Sequence, residues 1–191
     1  MVRNRFPHFF LRHILVIVAL GMGGVRSAQA QFGFLLNRAY APQARSEEEL
    51  DKYLEIITDS NPQTTVQEVN TFIAEYPQSE LLGIAFQYQM IAYQRLNNFK
   101  GVLRAGKEAL KLQPDNANTL LTLAAAIPDG VAGKPGAGPL LERANSYARG
   151  ALQELGRMQI PRAIPLDHWK MMRAEMAAQA HEALVYVAAE M

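Results

Sequence analysis

The side chains best suited to chemistry lie near the carboxyl end of the 191-residue chain. Asp167 and His168 are adjacent and Glu175 follows two helical turns later, so a carboxylate, an imidazole and a second carboxylate could flank a small hydrolase-type site. Nothing in the surrounding text supplies a pocket for them, and no Ser-His-Asp arrangement follows from spacing. A second stretch, Gly130-Val-Ala-Gly133-Lys134, invites a phosphate-binding reading. A phosphate loop needs four residues between its glycines and a Ser or Thr after the lysine. Here there are two, followed by Pro135, which has no N–H to give a phosphate. His168 and His181 are thirteen residues apart without a further ligand pair at zinc spacing. Met171, Met172 and Met176 offer soft sulfur ligands, but filling gaps on a helix face is the commoner use of such residues. The sequence therefore assigns no catalytic residue, no metal ligand and no cofactor.

The elements that would position a site begin after an export signal. Arg3, Arg5 and Arg12 precede the apolar run Ile14–Leu20, and Ser27-Ala28-Gln29-Ala30 ends the segment with small residues at alternate places. This is the order of a secretory signal peptide over residues 1–30, cut after Ala30. The alternative is an uncleaved inner-membrane anchor over residues 14–25, for which the apolar run is short against the ~20 residues of a spanning helix. No arginine pair marks the twin-arginine route, and the absence of cysteine removes both a lipid anchor on Cys and any disulfide. Without the four arginines of the signal, 15 basic side chains face 18 acidic ones, a net charge of −3. That balance speaks against a nucleic-acid partner held through phosphates. Residues 31–45 read as a linker, or as apolar residues around Phe32, Phe34, Leu35 and Leu36 that dock on the first helix pair.

From Ser46 onward the text is helical. Ser46 with Glu49 three residues on is a capping start, followed by Leu50, Tyr53, Leu54 and Ile57 as an expected buried stripe. Asn61-Pro62 ends that helix, and Val66, Val69, Phe72, Ile73 and Tyr76 make a second, stopped at Pro77. In the stretch 83–116, Phe86, Met90 and Tyr93 recur at three- and four-residue intervals. Asn97-Asn98 breaks the pattern, and Val102, Leu103, Ala105, Ala109 and Leu112 resume it up to Pro114. Residues 117–156 repeat the plan with Leu120, Leu121, Leu123, Ala124 and Ile127, then Ala144, Ala148 and Ala151. The segment Pro128–Pro139 between them is expected to be non-helical, an insertion of 8 residues in the turn. A last helix from His168 to about Glu190, capped by Asp167, puts Trp169, Met172, Met176, Ala180, Ala183, Leu184 and Val187 along one side.

The pair at 83–116 has the ~34-residue period of a tetratricopeptide repeat, and its residues carry the resemblance. Phe86, Tyr93 and Ala109 fall at the large, aromatic and small positions of that repeat, and the closing run from Ala109 to Asn116 resembles the end of a unit. Gln89 and Met90 stand where the family has Leu-Gly, and Val102 and Gly106 replace a small and an aromatic residue. The resemblance implies an all-α solenoid of about three helix pairs, at 46–77, 83–116 and 117–156, with a partial unit at 166–191.

By repeat position, the first helix of each unit would line a concave wall through Leu54, Gln87, Ile91, Gln94, Arg95, Asn118 and Leu121. Family members that clamp a peptide carboxylate use Lys and Asn on this wall. Ile84 and Tyr88 occupy such positions here, which speaks against a clamp. The function implied is a non-catalytic scaffold of the bacterial cell envelope, exported and periplasmic, that binds a protein or peptide. The alternative is a subunit that self-associates through its last helix, by Trp169, Met172 and Met176.

Overall fold

The computed structural model describes residues 42–160 and 164–191. Residues 1–41, with the expected export signal and most of the expected linker, lie outside them. Seven α-helices and no strand are found among the described residues: α1 (Glu47–Thr58), α2 (Pro62–Glu75), α3 (Leu82–Arg95), α4 (Phe99–Leu112), α5 (Ala117–Val131), α6 (Gly138–Arg157) and α7 (Leu166–Glu190).

Short polar side chains start four of them by accepting bonds from backbone N–H groups that a helix end leaves unpaired. Ser46 accepts from Glu49 N at 3.1 Å, Asn61 from Gln63 N at 2.9 Å, Asn98 from Gly101 N at 3.0 Å and Asn116 from Thr119 N at 3.1 Å. The Glu49 carboxylate reaches back to Arg45 N at 2.6 Å. Between α3 and α4, Asn97 takes a left-handed φ of 54°. Asn98 N then donates to Tyr93 O at 2.8 Å and Asn97 N to Gln94 O at 3.0 Å. These crossed bonds end α3 and turn the chain within two residues, at a site asparagine tolerates better than most side chains.

Three expectations need correction. In α1 the buried residues are Glu49, Tyr53 and Ile56, whereas Leu50 is 36% exposed and Leu54 and Ile57 are half-buried. The core face is therefore rotated from the stripe expected. Asp167 lies in the first turn of α7, while Pro165 stands at the capping position and makes no side-chain bond there. The third correction concerns Pro128, which lies inside α5. A proline near a helix C-terminus forfeits one backbone bond but leaves the following turn free to form. Here that turn is held by burial: Ile127 and Val131 join the core with Leu141, and the backbone of Gly130 packs directly on the Phe99 ring. The break is thus confined to residues 132–137, where Gly133 and Gly136 take φ of 65° and 78°. Lys134 Nζ donates to Gly130 O across it at 2.5 Å.

Each helix packs on its neighbour in sequence, and α1 on α3, α3 on α5 and α5 on α7 as well. Among the described residues, α2 and α4, and likewise α4 and α6, bring no Cα atoms within 8 Å of each other. The odd helices therefore form a touching layer and the even helices a spread one. Because α3 meets α1, α2, α4 and α5, it is buried nearly all round, through Leu82, Ile84, Ala85, Met90, Ala92 and Tyr93 among others. One stripe of spacing shows only part of such a surface.

The residues of α3 provide a graded test. Tyr93 is 7% exposed and Met90 fully buried, while Phe86 is half-buried against the α1–α2 core and Lys100 is solvated. Tyr93→Ala should cost about 3–5 kcal/mol and Met90→Ala about 2–5 kcal/mol. Phe86→Ala should cost less than either, and Lys100→Ala less than about 0.5 kcal/mol. Urea unfolding followed by far-ultraviolet circular dichroism measures the series, and equal losses at all four positions would refute this placement of α3.

Candidate functional site

The layer of odd helices carries the residues expected on a concave wall. Leu54 on α1, Ile91 and Gln94 on α3, and Asn118 on α5 are half-buried, each with part of its side chain open. Arg95 is exposed and its guanidinium donates to Ser60 O in the α1–α2 turn at 2.7 Å. It thereby ties the end of α3 to the preceding pair. Gln87 and Leu121 are not part of an open wall. Leu121, at 6% exposure, packs in the core shared with Ala151, Leu155 and Trp169.

Gln87 belongs to a buried amide junction that sequence spacing did not reveal. Asn116, with no exposed surface, accepts from Thr119 N to begin α5. Its amide donates to Gln87 Oε1 at 2.7 Å and to Gln113 Oε1 at 3.1 Å. Gln113 in turn lies so close to Gly83 that a methyl group there would meet its side chain at 2.5 Å. One asparagine thus joins α3, the end of α4 and the start of α5. A tie at the surface spans α2 and α3, where the buried Gln89 Nε2 donates to Oδ1 of the exposed Asn70 at 2.8 Å. Buried polar groups are costly unless bonded, so these pairs fix how one helix pair sits on the next.

Charge is unevenly spread over the layer. Asp129, on the last turn of α5, has its carboxyl pushed above the usual range by burial and then by Glu182 and Glu190 of α7. Three acids thus act on one another where α5 and α7 adjoin. In the layer of even helices, Glu68 of α2 is raised by burial, then by Asp59 and Glu55, with Lys52 opposing. The Glu68 Oε2 atom is buried without a hydrogen bond. Tyr88 on α3 is raised by burial alone.

The residues that invited chemistry are not gathered. Asp167 is solvated and lies 4.0 Å from Lys170, His168 is half-buried, and Glu175 is exposed. Among the described residues no group of three or more His, Cys, Asp or Glu side chains is placed to hold a metal ion. Among them, too, no helix is long and apolar enough to cross a membrane. Trp169 and Met176, expected on an uncovered face, are each 2% exposed against α5 and α6, with Met172 half-buried beside them. The chain itself covers that side of α7.

Two measurements probe this arrangement. Asn98→Ala removes a cap and should cost about 1 kcal/mol. Asn116→Ala removes a cap and also strands two buried amides, so a loss nearer 2–4 kcal/mol is expected from about 1 for the cap and about 1–3 for the amides. Equal losses by denaturant titration would refute the junction. For Glu68, a raised value means that stability is greatest below its unfolded range near 4.5 and falls as pH rises through the folded value. Glu68→Gln should lack that fall, so that it is more stable than the parent chain at pH 7 and shows no advantage near pH 3.5. Thermal melts at the two pH values decide it. No protein-family model, no curated protein and no solved structure matches the chain.

Proposed function

We propose that this chain is a non-catalytic interaction module of the tetratricopeptide-repeat type, an α-solenoid whose inner layer binds a peptide or a partner helix. The observation that carries the reading is the contact pattern, in which odd helices touch one another and even helices do not. Stacked helix pairs with that pattern curve, and the inner curve gives an extended surface for a chain segment. Support for the repeat itself comes from the Asn97–Asn98 turn and from Asn116, which closes one pair and starts the next. The half-buried Leu54 and Ile91 provide apolar contact on this surface, with Gln94 and Asn118 as polar neighbours. The acids Asp129, Glu182 and Glu190 at its far end favour a segment carrying basic residues there.

The non-catalytic part of the reading rests on the separation of Asp167, His168 and Glu175 by exposure and position. Its location in the cell envelope rests on the sequence of residues 1–30, read as a signal cut after Ala30, with an anchor over residues 14–25 as the alternative. A second reading, a self-associating subunit, is favoured by the outer face of α7.

A photo-crosslinking residue placed at Ile91 or Gln94 in producing cells tests the inner layer. It should give one discrete heavier species, weakened by Asp129→Lys, whereas the same residue at the solvated Lys107 on α4 should give none. Adducts of equal yield from both faces, or none from Ile91 and Gln94, would overturn the proposal. Intact mass of the unreacted chain reads the export half: a chain beginning at Gln31 is expected, and a full-length chain held in the membrane fraction would favour the anchor.

A further inference from the structure

Helix α7 has two faces of unlike use. Trp169, Met176, Ala180, Ala183 and Val187 are buried against α5 and α6. On the opposite side Met171, Ala174, Ala178, His181, Val185 and Ala188 are all exposed, Met171 at 52% and Val185 at 69%. Their spacing alternates three and four residues, which is the a and d pattern of a two-stranded coiled coil. Met171, Ala178 and Val185 take the a positions, and Ala174, His181 and Ala188 the d positions. Among the described residues no helix lies on this face. A helix face open to water ordinarily carries polar residues. This one carries five apolar residues and one histidine.

The charges beside the seam select the occupant. Lys170, just before Met171, is at a g position, and Glu175 and Glu182, just after Ala174 and His181, are at e positions; all three are exposed. In a parallel pair of helices a g residue meets the e residue five places further on in the partner. Lys170 of each copy then faces Glu175 of the other, twice over by symmetry. In an antiparallel pair e meets e, which sets Glu175 and Glu182 against one another. Lys170 is held within its own helix only by a 4.0 Å approach to the solvated Asp167 and is available for this exchange. Small residues at Ala174, Ala178 and Ala188 allow close approach of two backbones, and His181 is the polar layer that fixes register.

We propose that the outer face of α7 is a self-association surface, which takes α7 of a second copy in parallel across a two-fold axis. The seam runs from Met171 to Val185, bordered by Lys170–Glu175 pairs on both sides. It leaves Trp169 and Met176 in the core of each copy, and borders the acidic end of the inner layer at Glu182.

The chain has no cysteine, so single substitutions report directly on the seam. Met171→Cys and Val185→Cys, made separately in the full chain, should each give a disulfide-linked dimer under mild oxidation. In a parallel pair each residue faces its own copy, within the Cα separation a disulfide spans. In an antiparallel pair centred on Ala178 the two copies of either cysteine would stand about 21 Å apart. Light scattering of the unmodified chain should give twice the monomer mass, and Val185→Lys should weaken association by at least about tenfold. Far-ultraviolet circular dichroism should be unchanged, since Val185 touches no core. A monomer at every concentration, or cross-linking by neither variant, would overturn the proposal. Cross-linking only when the two variants are mixed would overturn the parallel arrangement in favour of an antiparallel one.

Discussion

The structure depends on how closely α4 is allowed to approach α3 and α5. Where α4 faces them its residues are Gly101, Val102, Ala105, Gly106 and Ala109. Gly101 lies directly against the Tyr93 ring, and Gly106 lies between Leu123 and Met90, where a methyl group would meet either side chain below 3.0 Å. Helices carrying leucine on such a face would stand further apart, and α4 could not touch α3 and α5 at once. The close approach lets Tyr93 lie along α4, with its hydroxyl accepting from Arg104 at 2.9 Å. It also brings Gln87 of α3 within reach of Asn116 at the start of α5. The same device recurs on α6, whose buried face is Leu141, Ala144, Ala148, Ala151 and Leu155. On α4 and in the middle of α6 the small residues face the larger ones of the odd helices, whereas α2 buries Val69 and Phe72.

Given that spacing, the polar ties follow. Asn116 makes its bonds only if α3, α4 and α5 are all in place, while Gln113 Nε2 beside it is buried without a hydrogen bond among the described residues. The apolar faces fix register by packing where Gly101 and Gly106 seat Tyr93, Leu123 and Met90. The Asn116 amide and the Gln89–Asn70 pair have single geometries. Small faces thus bring the pairs together, and packing and amides jointly determine how each sits on the last.

Much of this was legible in the residues. The caps at Ser46 and Asn61, the Asn97–Asn98 turn and the alanine spacing of α6 have local causes, which a single sequence carries. The features that were not legible depend on distant neighbours. Pro128 stays helical because Val131 has a core to enter, and that core is built partly by Leu141 and Val187. Gln87 has the spacing of a wall residue, and its burial depends on an asparagine twenty-nine positions away. Leu50 and Ile56 are equally apolar as text, and only the placement of α2 and α3 decides that Ile56 is the one inside. Of the candidate wall, the half-buried Leu54, Ile91, Gln94 and Asn118 were placed by repeat position alone. What each would touch is a property of a partner.

The last helix shows how far spacing can be trusted. Its buried face, Trp169, Met176, Ala180, Ala183 and Val187, and its exposed face, Met171, Ala174, Ala178, Val185 and Ala188, are both apolar at helical intervals. A helix apolar on two sides gives little signal of which side is inward, because periodicity reports contrast rather than direction. The contrast that does exist lies in volume. Tryptophan and methionine need a large apolar cavity, and only the joint of α5 and α6 supplies one, with Leu121, Leu155 and Met158 around it. The opposite side is mostly alanine, which gains little from such a cavity but permits another backbone to come near. Volume therefore decides which face of α7 completes the fold, and the small residues are left where a second helix would need them.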